Sequence, residues 1–146
     1  MFEYGKDGPR VVVVAVDGSP TSLRAAAYGV GMARRQNAKI IAVYVTPSVS
    51  GFAGMSAAST LGIEQANDQA EAEMRALAEQ RAADLGVDYE FWRRRGDPFK
   101  EIVAVANEVH ADAIVVGAST APGHRFVGSL AVHLVRAGRW PVTVVP

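Results

Sequence analysis

The sequence has no cysteine. Disulfides, thiolate nucleophiles and cysteine-based zinc sites are therefore excluded, and the absence fits a reducing compartment. It has no excess of either charge: 15 Lys+Arg balance 15 Asp+Glu, for a formal net charge of zero. A general nucleic-acid binder carries a basic excess or a basic face, so no nucleic-acid partner is expected, although one small anion stays compatible. It has no long apolar run. Val11 to Val16 is the longest aliphatic stretch, whereas a bilayer span needs about 20 apolar residues. Met1 to Arg10 lacks the basic stretch and apolar core of a signal peptide. The expected location is cytoplasmic, with no membrane partner. Histidines are few: His110, His124 and His133, with no pair at the i, i+4 spacing of a helical metal site. No metal site is expected.

What is present is a chain of 146 residues, 49% hydrophobic and 21% charged. That length supports one core without staples, and a single domain over residues 1–146 is expected. Short β-branched runs alternate with helical patterns. Val11–Val16, Ile40–Val45, Ala113–Val116 and Val142–Val145 read as buried strands. Val87–Arg94 is more polar and reads as an edge strand.

Four helices lie between them. Ser19 and Pro20 open the first as cap and first position, with an apolar stripe at Leu23, Ala26, Ala27, Val30 and Ala33. Gly29 and Gly31 are small enough to permit close packing on a sheet. The second runs from about Ile63 to Leu85 and stops at Gly86, with Ile63, Ala66, Ala70, Met74, Leu77, Ala78 and Leu85 as its stripe. Glu71 and Arg75 form an i, i+4 pair on its polar face. Asp97-Pro98 opens the third, and Gly128-Ser129 opens the fourth, which closes at Gly138. The order β-α-β-α-β-α-β-α-β implies right-handed crossovers and an α/β fold, a five-stranded parallel sheet with helices on both faces. Ligands of such sheets bind beyond the carboxyl ends of the strands, near the switch in strand order.

Two strand ends carry candidate chemistry. Val16-Asp17-Gly18-Ser19 leaves a carboxylate at the mouth, able to accept from a ligand N–H or O–H or, equally, from nearby backbone amides. Gly117-Ala118-Ser119-Thr120 leads through a loop to Gly128-Ser129 at a helix N-terminus. Exposed amides and the helix dipole make such a terminus an anion site, and the two glycines would let backbone approach a phosphate. The bland alternative is a plain turn with a serine cap.

These segments carry a resemblance. Val-Asp-Gly-Ser at 16–19, the block Asp112 to Gly117, and the ending Gly128-Ser129 through Pro141 to Pro146 are similar to the universal stress protein family, from the first strand to the last residue. The resemblance implies a Rossmann-like, adenine-nucleotide-binding-type fold. Nucleotide-binding members have the pattern G-x2-G-x9-G followed by Ser or Thr. Gly117 matches its first glycine and Gly128-Ser129 its last pair; Thr120 stands at the middle glycine. Ten residues separate Gly117 from Gly128, against twelve in the pattern. Thr120 disfavours the positive φ that glycine accepts. The short loop resembles that of a second branch of the family that does not bind ATP.

By resemblance, Asp17 and Val45 would flank an adenine, and Gly117, Gly128, Ser129 and Leu130 would line the phosphates, with Thr120 beside them. The ligand implied is ATP or AMP, with Mg only alongside ATP. The function implied is a non-catalytic stress-response or regulatory domain. Dimerisation through Val142 to Val145 is implied as well, and the flanking Pro141 and Pro146 fit a sheet edge. The alternatives are a member that binds no nucleotide and works through its dimer surface, or an adenine-nucleotide α-hydrolase-type enzyme. Val16-Asp17-Gly18-Ser19 is only faintly similar to the pyrophosphate loop of the latter. A phosphoacceptor receiver domain would need an acidic cluster that Asp17 lacks.

Three other features carry expectations. Thr46 to Gly62 reads as a long Ser/Gly/Ala-rich excursion, expected to act as a mobile lid. His124-Arg125 sits in the short loop and could bring positive charge to an anion. Trp92 is expected to pack, and Arg93-Arg94-Arg95 alternate faces and are expected to be a solvated edge.

Overall fold

The structure is a computed structural model and describes residues 8–46, 56–119 and 128–146. Five parallel strands and four helices alternate: β1 (Val11–Val16), α1 (Pro20–Gln36), β2 (Lys39–Thr46), α2 (Ala57–Leu85), β3 (Tyr89–Arg95), α3 (Pro98–Glu108), β4 (Ala113–Gly117), α4 (Ser129–Ala137) and β5 (Val142–Val145). The strand order is β3-β2-β1-β4-β5, with every pairing parallel. The α/β class and the five-stranded parallel sheet expected from the alternation are present. The order reverses between β1 and β4, so the crevice of this sheet opens above the carboxyl ends of those two strands.

Side-chain alternation divides the core in two. Val12, Val14, Val16, Ile40, Ala42 and Val115 point to one face, under α1 and α2. Val13, Ile41, Val43, Ile114 and Val116 point to the other, against α3 and α4 through Ile102, Val105 and Leu134. Valines fill β1 because a central parallel strand is buried on both sides.

Local signals placed the helix ends well. Ser19 caps α1 by accepting from Ser22 N–H, and Pro20 holds the first helical position. Asp97 caps α3, accepting from Lys100 N–H at 3.0 Å. Gly86 and Gly138 end α2 and α4 with left-handed φ of 66° and 65°, a conformation that suits glycine.

Several boundaries and faces differ from the sequence reading. The third strand is Tyr89–Arg95 rather than Val87–Arg94; it is the edge strand expected. The second helix begins at Ala57, capped by Ser56, so Ala57 to Gly62 are helical, and Thr46 ends β2. Within the proposed lid, residues 47–55 lie outside the described residues. Weak propensity of Ser, Thr and Gly hid that first turn.

The buried residues of α1 are Thr21, Ser22, Ala25, Gly29 and Ala33. Of the expected stripe, Ala26 and Val30 are partly buried against the same core, while Leu23 and Ala27 are exposed along the side toward α2. Small residues take the sheet-facing side because the helix sits close: a Cβ on Gly29 would stand 2.8 Å from Val14 Cγ2. Gly31, by contrast, has Arg35 Nη1 at 3.5 Å as its nearest such neighbour. On α2 only Ala82 is fully buried. Ala66, placed in the apolar stripe above, is exposed.

Of the three arginines of β3, Arg95 is exposed as expected of a solvated edge, whereas Arg93 and Arg94 are half-buried. Their faces do alternate, and each side chain finds a carboxylate. Arg93 pairs with Asp68 and Glu71, and Arg95 with Glu64, all on α2; Arg94 reaches Glu108 at the end of α3. Glu71 also pairs with Arg75 at 2.6 Å, but on the helix face turned toward β3 rather than on its polar face. Trp92 packs against the α3/α4 side of the core, and its Nε1 donates to Glu90 at 2.8 Å.

Candidate functional site

A cleft of ≈ 420 Å³ opens at the carboxyl ends of β1, β2 and β4. Of the residues singled out in the sequence, Asp17, Val45, Gly117, Gly128, Ser129 and Leu130 all line it. Thr120 and His124-Arg125 lie outside the described residues. His110 sits at the end of α3 and His133 on α4, and neither lines the cleft.

The β1 wall is built by a sharp turn. Gly18 has a φ of +83°, which a side chain disfavours. The turn brings Asp17 Oδ1 into range of Ser19 N–H at 2.8 Å. Ser22 Oγ accepts from Asp17 N–H at 3.2 Å and donates to the Ser19 carbonyl at 3.1 Å. Burial pushes the Asp17 carboxyl up, but hydrogen bonds from the Ser19 hydroxyl and amide, and from Ser22, together outweigh it. The net effect holds the carboxyl below its ordinary value. Asp17 therefore does bind nearby amides, as the bland alternative had it. It is also an exposed, ionised acceptor at the rim of the cleft.

Gly117, at the end of β4, allows a close approach, though between two parts of the chain. A Cβ there would stand 2.6 Å from the Thr21 carbonyl carbon and 2.7 Å from Ser22 N. No such contact is tolerated, so this glycine is what lets the N-terminus of α1 sit against β4. A Cβ on Gly128 would likewise meet Ser119 Cβ at 2.9 Å. Both glycines thus have a packing role within the chain, and both still line the cleft.

The α4 terminus is open in a way the sequence left undecided. Gly128, not Ser129, is the N-cap residue, and it makes no side-chain cap hydrogen bond among the described residues. Helix N-termini leave their first amides without intrahelical partners, and here these amides border the cleft. The α1 terminus differs, because Ser19 Oγ already accepts from Ser22 N–H. Of the three helix starts at the cleft, α1 and α3 are capped by Ser19 and Asp97, which leaves α4 as the one suited to receive an anion.

Sequence reasoning passed over several lining residues. Val43, Ile102 and Pro98 give the cleft an apolar floor and a third wall from the start of α3. Thr21 and Ser22 are buried hydroxyl residues, 6% and 5% exposed. Their position just inside the cap of α1 was the available signal. The Asp97-Pro98 start of α3, directly after β3, was another. Among the described residues no group of three or more His, Asp or Glu side chains could hold a metal ion. None of the described helices is long and apolar enough to cross a membrane.

A family model described as the universal stress protein family matches residues 9–146. The universal stress protein MJ0531 of Methanocaldococcus jannaschii is 29% identical across 152 aligned positions, covering 99% of this chain and 86% of that one. The universal stress protein UspA from Lactobacillus plantarum has a similar structure, with a TM-score of 0.76 and 25% identity over 94% of this chain and 97% of its own. A universal stress protein in complex with cAMP gives 0.74 and 29% identity, over 96% and 99%. With the strand order, the crevice and a family match over nearly the whole length in agreement, the chain belongs to the universal stress protein family.

Proposed function

We propose that this chain is a non-catalytic stress-response or regulatory domain that binds an adenine nucleotide in the cleft at the ends of β1, β2 and β4. The uncapped N-terminus of α4, opening into the same cleft as Asp17 and Val45, is the observation that carries the reading. The base would lie over Val43 and Val45, with Asp17 accepting from its exocyclic amine. The phosphate would sit at Gly128, Ser129 and Leu130, where the helix dipole favours negative charge. Mg would enter only with ATP. The similar universal stress protein in complex with cAMP supports an adenine ligand at this fold. No nucleophile–base–orienter set is evident among the described lining residues, and in this reading the bound nucleotide acts by altering the surface rather than by reacting. We further propose a cytoplasmic homodimer joined through β5, the second sheet edge, with residues 1–146 as one domain.

A second reading has its own support. Gly117 and Gly128 serve internal packing, and the loop between them is shorter than the nucleotide-binding pattern. A member of the non-binding branch, acting through its dimer surface, would look the same at these positions.

Calorimetric titration of the nucleotide-stripped protein with Mg-ATP, AMP and cAMP separates the two. Saturable binding at micromolar concentration, weakened about tenfold by Asp17→Asn, supports the nucleotide reading. Asparagine keeps an acceptor for Ser19 N–H while removing the charge. No heat with any of the three, and no nucleotide carried through purification, overturns it. A monomer mass by light scattering at micromolar concentration overturns the dimer.

A further inference from the structure

The sheet face under α1 and α2 is incompletely closed. The two helices leave between them a second cleft of ≈ 470 Å³, floored by Ile40, Ala42 and Phe91. Its size lies within the roughly 300–1,000 Å³ of small-molecule sites. It shares only Val16 with the cleft at the strand ends.

Three observations bear on what would fill it. Leu23, Leu77 and Leu85 are 40%, 43% and 40% exposed, and all three line this cleft. They are half of the six large hydrophobics that are exposed among the described residues; clustering of that kind marks a ligand groove more than scattered exposure does. Next, the only charged lining residues are Arg34 and Arg81. Neither has an ion-pair partner among the described residues, although Arg75, Arg93, Arg94 and Arg95 nearby all do. Last, the Tyr89 hydroxyl is buried without a hydrogen-bond partner among the described residues. Buried hydroxyls almost always have one.

These polar groups share one end. Arg34 lies in the last turn of α1, Arg81 one turn before the end of α2, and Tyr89 begins β3. Every other lining residue is apolar or glycine. From Leu23 to Arg34 the cleft follows eleven residues of helix, about 16 Å at the usual rise. The occupant is thus a slender apolar chain with an anion at one end only. A peptide would leave backbone amides unpaired along the apolar stretch.

We propose that the α1/α2 cleft binds a long-chain fatty acid anion, with its alkyl chain along Leu23, Val30, Met74 and Leu77 and its carboxylate held by Arg34 and Arg81. Arginine forks match a planar carboxylate.

The test is calorimetric titration of the delipidated full chain with dodecanoate below its micelle concentration, alongside dodecanol and dodecyltrimethylammonium. Dodecanoate should bind saturably, one per chain, and about tenfold or more tighter than either control. The double variant Arg34→Gln/Arg81→Gln should weaken dodecanoate by about tenfold or more, with an unchanged circular dichroism spectrum. Equal binding of dodecanol and dodecanoate, full affinity in the arginine variant, or no saturable heat overturns the proposal. So does a concentration-dependent mass increase abolished by Leu77→Glu, which would assign the cleft to a second copy of the chain.

Discussion

Arg93 donates from Nη1 to Glu71 Oε2 at 2.9 Å, joining the edge strand β3 to α2, while the other oxygen of Glu71 takes Arg75 Nη2 at 2.6 Å. Arg75 reaches on to the Phe91 carbonyl at 3.2 Å and lies 4.7 Å over the Phe91 ring. Glu71 is the hinge of this clasp, and its side chain is only 15% exposed.

Glu71→Gln should destabilise the protein by about 1–3 kcal/mol, because two partly desolvated guanidiniums lose their shared charge partner. The Arg95–Glu64 pair is longer, 3.4 Å, and more exposed. Glu64→Gln should therefore cost less than about 0.5 kcal/mol. Urea denaturation of both variants checks the contrast. Equal effects would mean that the clasp is held by packing rather than by charge.

Gly117 and Gly31 should respond to alanine with opposite signs. At Gly117 the added methyl meets the backbone of Thr21 and Ser22, which cannot swing aside. A loss of about 2–3 kcal/mol is expected, with displacement of the α1 terminus beside Asp17. At Gly31 the nearest such atom is the flexible end of Arg35, and the helix interior should gain about 0.5–1 kcal/mol. Thermal unfolding followed by circular dichroism reports both.

Two serines of the strand-end cleft, Ser19 and Ser129, should separate stability from binding. Ser19→Ala removes the cap on Ser22 N–H and should cost about 1 kcal/mol. Ser129 is the first helical residue behind an uncapped Gly128, so Ser129→Ala should leave stability within about 0.5 kcal/mol. If the nucleotide reading holds, Ser129→Ala weakens AMP by a few-fold all the same. Titration and melting on the same samples give both numbers.

Asp17 sets a sign for acid behaviour. Its carboxyl is held below the ordinary value of 3.8, so its hydrogen bonds contribute stability that is fully present above that value. The contribution fades as pH falls through the lower, folded value. Wild type should therefore lose stability more steeply than Asp17→Asn below about pH 4, and in parallel with it from about pH 5.5 to 8. Denaturation midpoints across that range decide it; a difference in slope near neutrality would contradict the assignment.

The order of elements, the edge position of the third strand and four cleft residues, Asp17, Gly117, Gly128 and Ser129, were legible because each rests on a local signal; Val45 and Leu130 came only with the family resemblance. A β-branched run, a Ser-Pro start or a Gly stop needs no knowledge of its neighbours. The misreadings came where the third dimension decides. Leu23 looks like core by periodicity, yet the sheet sits so close under α1 that only Ser22, Ala25, Gly29 and Ala33 fit between them. The arginines of β3 look like solvent-facing charge until α2 and α3 bring Glu71, Glu64 and Glu108 alongside. Gly117 was recognised as a glycine that must be a glycine, but the backbone that demands it lies about a hundred residues earlier in the chain.

The seat of Gly29 on Val14 has a mechanical meaning. A helix resting on a sheet through a face of small side chains has no slack in which to roll or slide, since the first displacement drives backbone into side chain. The end of α1 that carries Ser19 is therefore a fixed post beside Asp17. Whatever fitting the strand-end cleft does around an occupant is left to its other walls, built by α3 and α4.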